Sequence, residues 1–404
     1  MRVLIMTKIF PNRVEPLSSP FNREQFAALG RLCDVEVFAT IPWFPGARTF
    51  RRWSRAGQLF GVPSRDRIDG LTVRHPRFLF VPKVGGSTAG PLYAASLAAR
   101  LWPYRRRMDV LLGSWAYPDG FAAVMLGRLL RVPSVIKIHG SDMDVVARLP
   151  GPRRYLQWAL PRAERVVAVS RPLRDHAVAL GAAPDRVDIV PNGVDVATFR
   201  PADRAEARRE LGLPSDARVV LYVGRVEREK GAVDLVRAFG LGASKLGGTE
   251  LVVIGDGSAL PECRRLATDH GAPVTFKGAR PHEEVPRWLA ACDVLALPSW
   301  HEGMPNAVLE AIACGRRVVA TRVGGIPDVI DSDRLGVLVP PRDPPALAAA
   351  LARAARTPYD PASVAAAAGI PGWESSARLL HRTLQRAAFD RRGEGRAKPC
   401  LGSI

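Results

Sequence analysis

Two glutamates on either side of a turn form the most chemically suggestive stretch of the sequence, HEGMPNAVLEAIACG at residues 301–315. Gly303 and Pro305 argue against one continuous helix, because proline is best tolerated at a helix start, where its missing N–H costs little. We therefore predict a helix that begins near Pro305, with Glu302 in the loop and Glu310 inside the helix. A helix start attracts phosphate, and carboxylates accept hydrogen bonds from hydroxyl groups. The stretch predicts a phosphate site beside a hydroxyl-rich ligand.

A pair of cations in YVGRVEREKG, residues 222–231, is the second candidate. Gly224 closes an apolar run, and Arg225 and Lys230 follow it ahead of a helical segment. Lys230 is one of only 7 lysines, against 51 arginines, so the general excess of arginine does not explain it. Two cations at the carboxyl end of a strand can hold a diphosphate. The alternative is a solvated pair of surface cations.

Three weaker signals also follow apolar strands. Gly255 and Gly257 lie in VIGDGSAL, which on its own is more typical of an ordinary tight turn. His139 ends the run PSVIKIHG, and Ser170 ends RVVAVS. A lone histidine is usually structural, but His139 lies where the sheet of the first half would meet its ligand.

The elements that position these residues are predicted by an alternation of short apolar runs with helix-length segments. The runs are β-branched and continuous, which is typical of parallel strands covered by helices on both faces. The predicted strands of the first half are 2–6, 34–40, 108–113, 133–140, 165–170 and 186–193. Those of the second half are 218–225, 250–257, 273–279, 292–299, 316–325 and 335–340, with helical segments at 231–240, 260–270, 282–291, 306–314 and 344–357.

The predicted fold class is α/β, with two Rossmann-like doubly wound parallel-sheet domains facing across a cleft. Ligands in such sheets bind at the carboxyl ends of the strands. The turn-rich segment PNGVDVATFRPAD at 191–203 is the predicted linker. We expect an N-terminal domain at 1–193 and a C-terminal domain at 194–370. A closing helix at 371–389 and a disordered tail at 390–404 complete the predicted organisation.

The composition is that of a globular protein with a strong positive charge. The chain has 404 residues, 47% of them hydrophobic, and a formal net charge of +19. The run at the start is too short for a signal peptide, and no apolar run approaches the roughly 18 residues of a membrane span. The five cysteines are scattered, which fits a reducing cytoplasm and predicts no metal site.

The positive charge is concentrated in the first half of the chain. Residues 1–195 hold 29 Lys and Arg against 15 Asp and Glu, a net charge of +14. The segment 41–67, predicted to be a long irregular insertion, mixes aromatic residues with six arginines, and YRRRM follows at 104–108. Arginine beside aromatic residues can dock on an anionic membrane, so we expect a peripheral association with the inner face of the membrane. The alternative is a solvated loop enriched by a general arginine bias.

The combination of motifs resembles the family-4 (group 1) retaining glycosyltransferases over nearly the whole chain. SWHEGMPNAVLE matches the family's E-x7-E motif, here Glu302 to Glu310, and YVGRVEREKG matches its Gly-Arg…Lys phosphate site. PNGVD resembles the interdomain linker, VGGIPDVI a downstream helix start, and GWESSARLLHRTL the closing helix. Residues 10–21 depart from the family pattern because they contain no glycine, so no donor contact is assigned to that loop.

The resemblance implies a GT-B fold, in which the domain at 1–193 is the acceptor side and the domain at 194–370 binds the nucleotide sugar. The closing helix at 371–389 would cross back to the N-terminal domain. The resemblance also implies a role for each candidate residue. Arg225 and Lys230 would neutralise a departing diphosphate, Glu310 would bind the ribose and Glu302 the donor sugar, and His139 would meet that sugar from the first domain. Further donor contacts are implied at residues around these motifs, namely Gly224, Gly255, Gly257, Lys277, Arg280, Gly303, Met304, Pro305, Asn306 and Ser170.

The resemblance also implies the reaction and its partners. A nucleotide-diphosphate sugar would be the co-substrate, with no cofactor, no metal and retention of anomeric configuration. The acceptor would be a saccharide or lipid-linked molecule in cell-surface polysaccharide or glycolipid biosynthesis. Two alternatives stay open, a GT-B nucleotide-sugar epimerase and a non-catalytic family member acting as a scaffold.

Two other classes of protein fit the sequence less well. A dehydrogenase would carry G-x-G-x-x-G after its first strand, whereas RVLIMTKIFP has no glycine. A nucleic-acid-binding protein would explain the charge, but no binding module is recognisable, so no nucleic-acid partner is expected.

Overall fold

The computed structural model describes residues 1–16, 18–47, 49, 54–81, 85–242 and 246–394, which form two compact units. Unit 1 comprises Met1–Asn192 and the segment that begins at Trp373, and unit 2 comprises Gly193–Gly372. The division after Asn192 is one residue from the predicted boundary. The described ranges leave out Arg48, Arg51 and Arg52 of the segment 41–67, for which a membrane contact is predicted, and the tail from residue 395.

Unit 1 is built on a largely parallel sheet. Its strands in chain order are β1 (Arg2–Thr7), β2 (Asp34–Ala39), β3 (Ile41–Trp43), β4 (Arg65–Ile68), β5 (Leu71–Arg74), β6 (Arg77–Leu79), β7 (Val110–Ser114), β8 (Ser134–Ile138), β9 (Arg165–Ala168) and β10 (Val187–Ile189). Its helices up to Asn192 are α1 (Pro20–Gly30), α2 (Arg55–Gln58), α3 (Gly85–Leu101), α4 (Phe121–Leu130), α5 (Ser141–Asp144), α6 (Pro150–Ala159) and α7 (Arg171–Ala179).

The main sheet of unit 1 has the strand order β10-β9-β8-β7-β1-β2-β5-β4. All neighbours are parallel except β4 and β5, which are antiparallel. The inner strands are buried almost throughout, as in β1, where only the first of six residues is exposed. Such burial on both faces explains why continuous apolar runs were a reliable signal for these strands.

The segment 41–79 corrects the prediction of a long irregular insertion at 41–67. The structure finds β3, α2 and β4 within that insertion, followed by β5 and β6. β3 and β6 form a separate two-stranded parallel sheet. These strands have three or four residues each, and β4 reads RDRI. Strands this short contain too few residues for a recognisable hydrophobic alternation, so sequence periodicity did not indicate them.

Unit 2 contains one six-stranded parallel sheet of order β13-β12-β11-β14-β15-β16. Its strands are β11 (Arg218–Val223), β12 (Thr249–Ile254), β13 (Val274–Gly278), β14 (Val294–Leu297), β15 (Arg317–Thr321) and β16 (Gly336–Val339). Its helices are α8 (Arg204–Leu211), α9 (Ala232–Leu241), α10 (Leu260–Asp269), α11 (Val285–Ala291), α12 (Asn306–Ala313), α13 (Ile326–Val329), α14 (Pro344–Ala354) and α15 (Pro361–Ala368). The six strands and five helical segments predicted here are confirmed.

Aspartate caps explain where several helices of unit 2 begin. The Asp203 side chain accepts a hydrogen bond from the backbone N–H of Glu206 at the start of α8. Asp343 and Asp360 accept equivalent bonds at the starts of α14 and α15. Each bond satisfies an N–H that the first turn of a helix leaves without a partner.

The last helix, α16 (Trp373–Glu394), belongs to unit 1. Ala377, Leu380, Leu384 and Ala387 lie on one side of α16 and are fully buried in the hydrophobic core of that unit. The predicted start of the tail at residue 390 is therefore too early, because the helix continues to Glu394.

None of the described helices has both the length and the hydropathy of a membrane span. Within the same residues, no group of three or more His, Cys, Asp or Glu side chains is arranged to hold a metal ion.

Candidate active site

The carboxyl edge of the unit 2 sheet gathers most of the predicted site residues. Gly224 and Arg225 follow β11, Gly255 and Gly257 follow β12, and Glu302 lies in the loop after β14. β11 lies between β12 and β14 in the sheet, so the three loops are neighbours at one edge. This is the edge at which open α/β sheets bind their ligands.

Glycines allow two of these loops to pack backbone against backbone. Gly255 has φ +142°, and a Cβ atom there would lie 1.8 Å from the carbonyl oxygen of Gly224. A Cβ on Gly257 would lie 2.3 Å from the carbonyl oxygen of Val226. The Tyr222 hydroxyl donates a 2.7 Å hydrogen bond to the Arg225 carbonyl and so anchors the loop after β11 to that strand. The Gly-x-Gly turn is thus required by a close approach of the main chain.

An ion pair joins the two motifs that the sequence analysis treated separately. The Lys230 ammonium donates a 2.7 Å hydrogen bond to Glu302 Oε1, and the Ser299 hydroxyl donates to the same oxygen at 2.8 Å. The Glu302 side chain is only 11% exposed and that of Lys230 24%. An ion pair that is so little exposed holds both side chains in place. The predicted sugar-binding carboxylate and the predicted phosphate-binding cation therefore contact each other directly.

The loop that carries Glu302 is supported from the end of β15. The Gly325 N–H donates to the Gly303 carbonyl at 2.9 Å. Gly324 has φ +51°, and a Cβ atom there would lie 1.6 Å from the Glu302 carbonyl oxygen. The segment VGGIPDVI, predicted only as a helix start, therefore also packs directly beneath the glutamate.

Helix α12 begins at Asn306, with Pro305 as the residue that caps it. The predicted start near Pro305 is confirmed, with Glu302 in the preceding loop and Glu310 inside the helix. Met304 is buried in the turn. The positive end of the helix dipole lies beside the Lys230–Glu302 pair in sequence and in the fold, which favours an anion here.

Glu310 has a partner that the sequence analysis missed. Its carboxylate is 2.9 Å from Nε2 of His282, and the Glu310 residue is buried while His282 is about half exposed. The ring of Phe199 lies 5.1 Å from the His282 ring. The sequence analysis had no local pattern that pairs His282 with Glu310, because the two residues are 28 positions apart. The polar segment PHEE after β13 is the one signal near His282.

The remaining predicted donor contacts of unit 2 lie at and after β13. The Lys277 ammonium is 5.7 Å from the centre of the Trp288 ring, and Arg280 is exposed. Both therefore lie on the surface at the end of a strand that borders β12.

In unit 1, His139 is buried at the carboxyl end of β8. Its Nε2 is 2.9 Å from the Ser114 hydroxyl, and its backbone N–H donates to Asp142 Oδ1 at 3.0 Å. The rings of Phe21 and Trp115 lie 5.1 and 5.8 Å from the imidazole. Burial, with a smaller effect of the Lys137 charge, holds the pKa of His139 well below its usual value. His139 is therefore neutral and can both donate and accept one hydrogen bond.

Ser170 lies at the start of α7, after β9, and is fully buried. Its hydroxyl oxygen has no hydrogen-bond partner among the described residues. An unpaired buried hydroxyl is costly, which makes Ser170 a polar group that a ligand could satisfy.

Family models match both units of the chain. Residues 24–198 match the model described as Glycosyltransferase Family 4, and residues 217–357 match Glycosyl transferases group 1. The putative teichuronic acid biosynthesis glycosyltransferase TuaC of Bacillus subtilis is 30% identical over 87% of this chain and 89% of its own length. The D-inositol 3-phosphate glycosyltransferase of Frankia alni is 35% identical over 90% and 92% of the two chains.

Solved structures share the fold at lower sequence identity. Anabaena Alr3699/HepE, crystallised with UDP and glucose, superposes with a TM-score of 0.70 at 19% identity, over 95% of this chain and 99% of its own. The sucrose-phosphate synthase of Thermosynechococcus elongatus has a TM-score of 0.69 at 20% identity, over 98% of each chain.

These results define a glycosyltransferase of the GT-B class, with two Rossmann-like domains. The chain belongs to the group 1, family 4 glycosyltransferases. The predicted pair of Rossmann-like parallel-sheet domains and the predicted membership of the group 1, family 4 glycosyltransferases are both confirmed.

Proposed function

We propose that this glycosyltransferase transfers a sugar from a nucleotide-diphosphate donor to an acceptor with retention of anomeric configuration. The observation that carries the proposal is the Lys230–Glu302 pair, held at 2.7 Å beside the start of α12. It places a cation, a hydrogen-bond acceptor and a helix N-terminus at the carboxyl edge of one sheet. A diphosphate joined to a sugar presents the complementary groups, namely anionic oxygens and hydroxyls.

Each residue of the edge has a role in this proposal. Arg225 and Lys230 bind the diphosphate oxygens, and Glu302 accepts a hydrogen bond from a sugar hydroxyl. Glu310 binds the ribose hydroxyls, with His282 holding its carboxylate in place across 2.9 Å. The base lies against the segment 277–280, and the other predicted contacts are backbone groups of the glycine turns and of residues 303–306.

The proposed reaction is a substitution on one face of the sugar. The bond between the anomeric carbon and the diphosphate oxygen breaks, and its electron pair leaves with the diphosphate. The acceptor oxygen bonds to the same face, and its proton passes to the departing oxygen. Arg225 and Lys230 stabilise the charge that develops on the leaving group, so the proposal requires no metal and no carboxylate nucleophile. A hydrogen bond from His139 to the transferred sugar stays a prediction.

A thermal-shift panel of nucleotide sugars tests the donor site. The donor should raise the melting temperature by mass action. The Glu310→Gln variant should need at least ten times more donor for the same rise. Glu283→Gln is the matched control, because Glu283 is exposed in the turn that carries His282. A panel without any stabilising nucleotide sugar would refute the proposal and favour a scaffold.

Product analysis with and without acceptor distinguishes transfer from epimerisation. A transferase releases nucleoside diphosphate and forms a new glycoside. A nucleotide-sugar epimerase changes its substrate in the absence of any acceptor, and that result would replace the proposed reaction.

We further propose a cytoplasmic enzyme that works at the inner face of an anionic membrane. The net charge of +14 in residues 1–195 supports this, as does Trp43, which is 37% exposed at the end of β3. Arginine near an anionic leaflet contributes roughly 1 kcal/mol per residue. The charge of Arg55 is already paired, because Glu15 holds its guanidinium with bonds of 2.7 and 2.8 Å.

Cosedimentation with vesicles tests the membrane proposal. Binding should require anionic lipid, weaken with salt, and fall when Arg48, Arg51 and Arg52 are changed to Ser. Arg55→Ser alone should have a smaller effect because its charge is already paired. Equal binding to neutral vesicles, or none to either kind, would contradict a membrane-associated enzyme.

A further inference from the structure

Unit 1 contains an apolar cavity of about 740 Å³, a volume within the usual range for ligand sites. Its walls come from the β3 and β6 strands, from the segments next to them and from the turn before α4. The wall residues that matter here are Pro42, Phe44, Phe78, Phe80 and Pro118. None of them belongs to the donor site in unit 2.

One cation that has no hydrogen bond or ion pair to the described residues faces this apolar cavity. Lys8 follows β1 and lines the cavity, and across the described part of the chain its ammonium has no hydrogen bond or ion pair. The ammonium lies 5.5 Å from the centre of the Trp115 ring. Arg55 also lines the cavity, but its charge is paired with Glu15. An occupant should therefore be apolar for most of its surface and anionic at the point that meets Lys8.

The desolvation of Lys8 makes an anion favourable at this position. Burial lowers the pKa of Lys8, although the negative charges of Asp119 and Asp142 act in the opposite direction. The Asp119 carboxyl is itself fully buried, and its burial raises its pKa. Because the pKa of Lys8 stays lowered, the two carboxyl groups do not fully offset the desolvation of its ammonium.

The cavity is linked to the predicted sugar-binding end of unit 1 through one aromatic side chain. Trp115 is near both groups, with its ring 5.5 Å from the Lys8 ammonium and 5.8 Å from the imidazole of His139. A long molecule could thus place a chain in the cavity and its polar end toward His139.

We propose that this cavity binds the hydrocarbon chain of a lipid-linked acceptor, with the phosphate next to that chain bound by Lys8. The proposal rests on the proposed function and names its acceptor class, a phosphate ester of a long hydrocarbon. A free sugar phosphate would leave the aromatic walls in contact with water. A neutral lipid would leave the Lys8 ammonium without an anion.

Calorimetric titration of the full chain with decyl phosphate, below its micelle concentration and without donor, tests the proposal. Decyl phosphate should bind at least tenfold more tightly than decanol and than inorganic phosphate. Lys8→Gln should weaken its binding at least tenfold, to the level of decanol, and Phe80→Ser should weaken it as well. Trp102→Ser is the matched control, because Trp102 is exposed outside the cavity lining.

Each other result overturns a defined part of the proposal. Equal affinities for decyl phosphate and decanol would exclude the phosphate contact. Equal affinities for decyl phosphate and inorganic phosphate would exclude the hydrocarbon site, and no binding of decyl phosphate would exclude both. Titration of the same sample with the stabilising nucleotide sugar separates the two proposals. Retained donor binding would leave the transferase intact with a different acceptor, whereas loss of both would remove the proposed function too.

Discussion

Lys137 provides a stability prediction whose sign changes with pH. It lies in β8 with its whole side chain buried, bonded to Gln25 Oε1 and 5.5 Å from the Phe26 ring. Burial lowers its pKa to about 7, and the charge of Asp142 offsets only part of that effect. We predict that Lys137→Met, of similar volume but without charge, stabilises unit 1 at pH 7 and destabilises it at pH 10.

The magnitude follows from the difference between the folded and unfolded pKa values. An unfolded lysine has a pKa of about 10.4, and each pK unit corresponds to about 1.4 kcal/mol. The folded pKa of about 7 therefore makes burial of Lys137 cost about 4 kcal/mol at pH 7. Because the unfolded chain binds the extra proton between these values, stability rises as the pH rises from 7 to 10. The cost is absent above the unfolded pKa.

The substitution also removes a hydrogen bond at every pH. Gln25 Oε1 loses its donor, while Gln25 Nε2 keeps its 2.7 Å bond to the Ser376 hydroxyl. A buried acceptor without a partner costs about 1–3 kcal/mol. The net change is therefore a gain of about 1–3 kcal/mol at pH 7. At pH 10, just below the unfolded pKa, about 0.7 kcal/mol of the burial cost remains, so the loss is at most about 2 kcal/mol. Each kcal/mol corresponds to roughly 2–4 °C in melting temperature for a unit of this size.

Differential scanning calorimetry from pH 7 to 10 measures this reversal. The melting temperature of the variant should exceed that of the parent at pH 7 and fall below it at pH 10. Lys277→Met is the control, because the Lys277 side chain is partly exposed and its variant should follow the parent. A constant difference between Lys137→Met and the parent across this range would refute a depressed pKa for Lys137.

The other predictions concern the carboxyl edge of unit 2. Arg225→Ala and Lys230→Ala should each lower kcat at least a hundredfold, because a lost contact to developing charge costs about 3 kcal/mol, with a small change in melting; near-normal kcat in both would exclude the diphosphate role. Glu310→Gln should chiefly raise the Kd for free nucleotide and Glu302→Gln should chiefly lower kcat; unchanged nucleotide binding in both would exclude the ribose contact. Gly324→Ala should lower kcat by displacing Glu302, whose carbonyl lies 1.6 Å from the new Cβ, and wild-type kcat would show that the loop position is unimportant.

The sequence predicted the parts of the fold that repeat and bury apolar residues. All twelve predicted strands exist, because buried parallel strands need continuous β-branched runs. The loop position of Glu302 and the helical position of Glu310 followed from Pro305, whose ring limits where a helix can start. The four strands between residues 41 and 79 were missed because three or four residues are too few to show the alternation of a strand.

Contacts between distant residues were the part of the site that local patterns did not reveal. The Lys230–Glu302 bond spans 72 residues and the His282–Glu310 contact spans 28. The role of Gly324 depends on a backbone approach to Glu302 that only the packing of neighbouring loops defines. Spacing rules describe neighbours on one element, whereas these pairs depend on how the loops after β11, β13, β14 and β15 meet at one edge.

The most direct test of the proposed function is the anomeric configuration of the first product. The enzyme is incubated with the nucleotide sugar that stabilises it most, with acceptor and, separately, with water as the only acceptor. Proton NMR spectra are taken before a released sugar can mutarotate. We predict that the product keeps the anomeric configuration of the donor and that Lys230→Ala suppresses its formation. A product of inverted configuration, or an epimerised nucleotide sugar in place of a glycoside, would contradict this prediction.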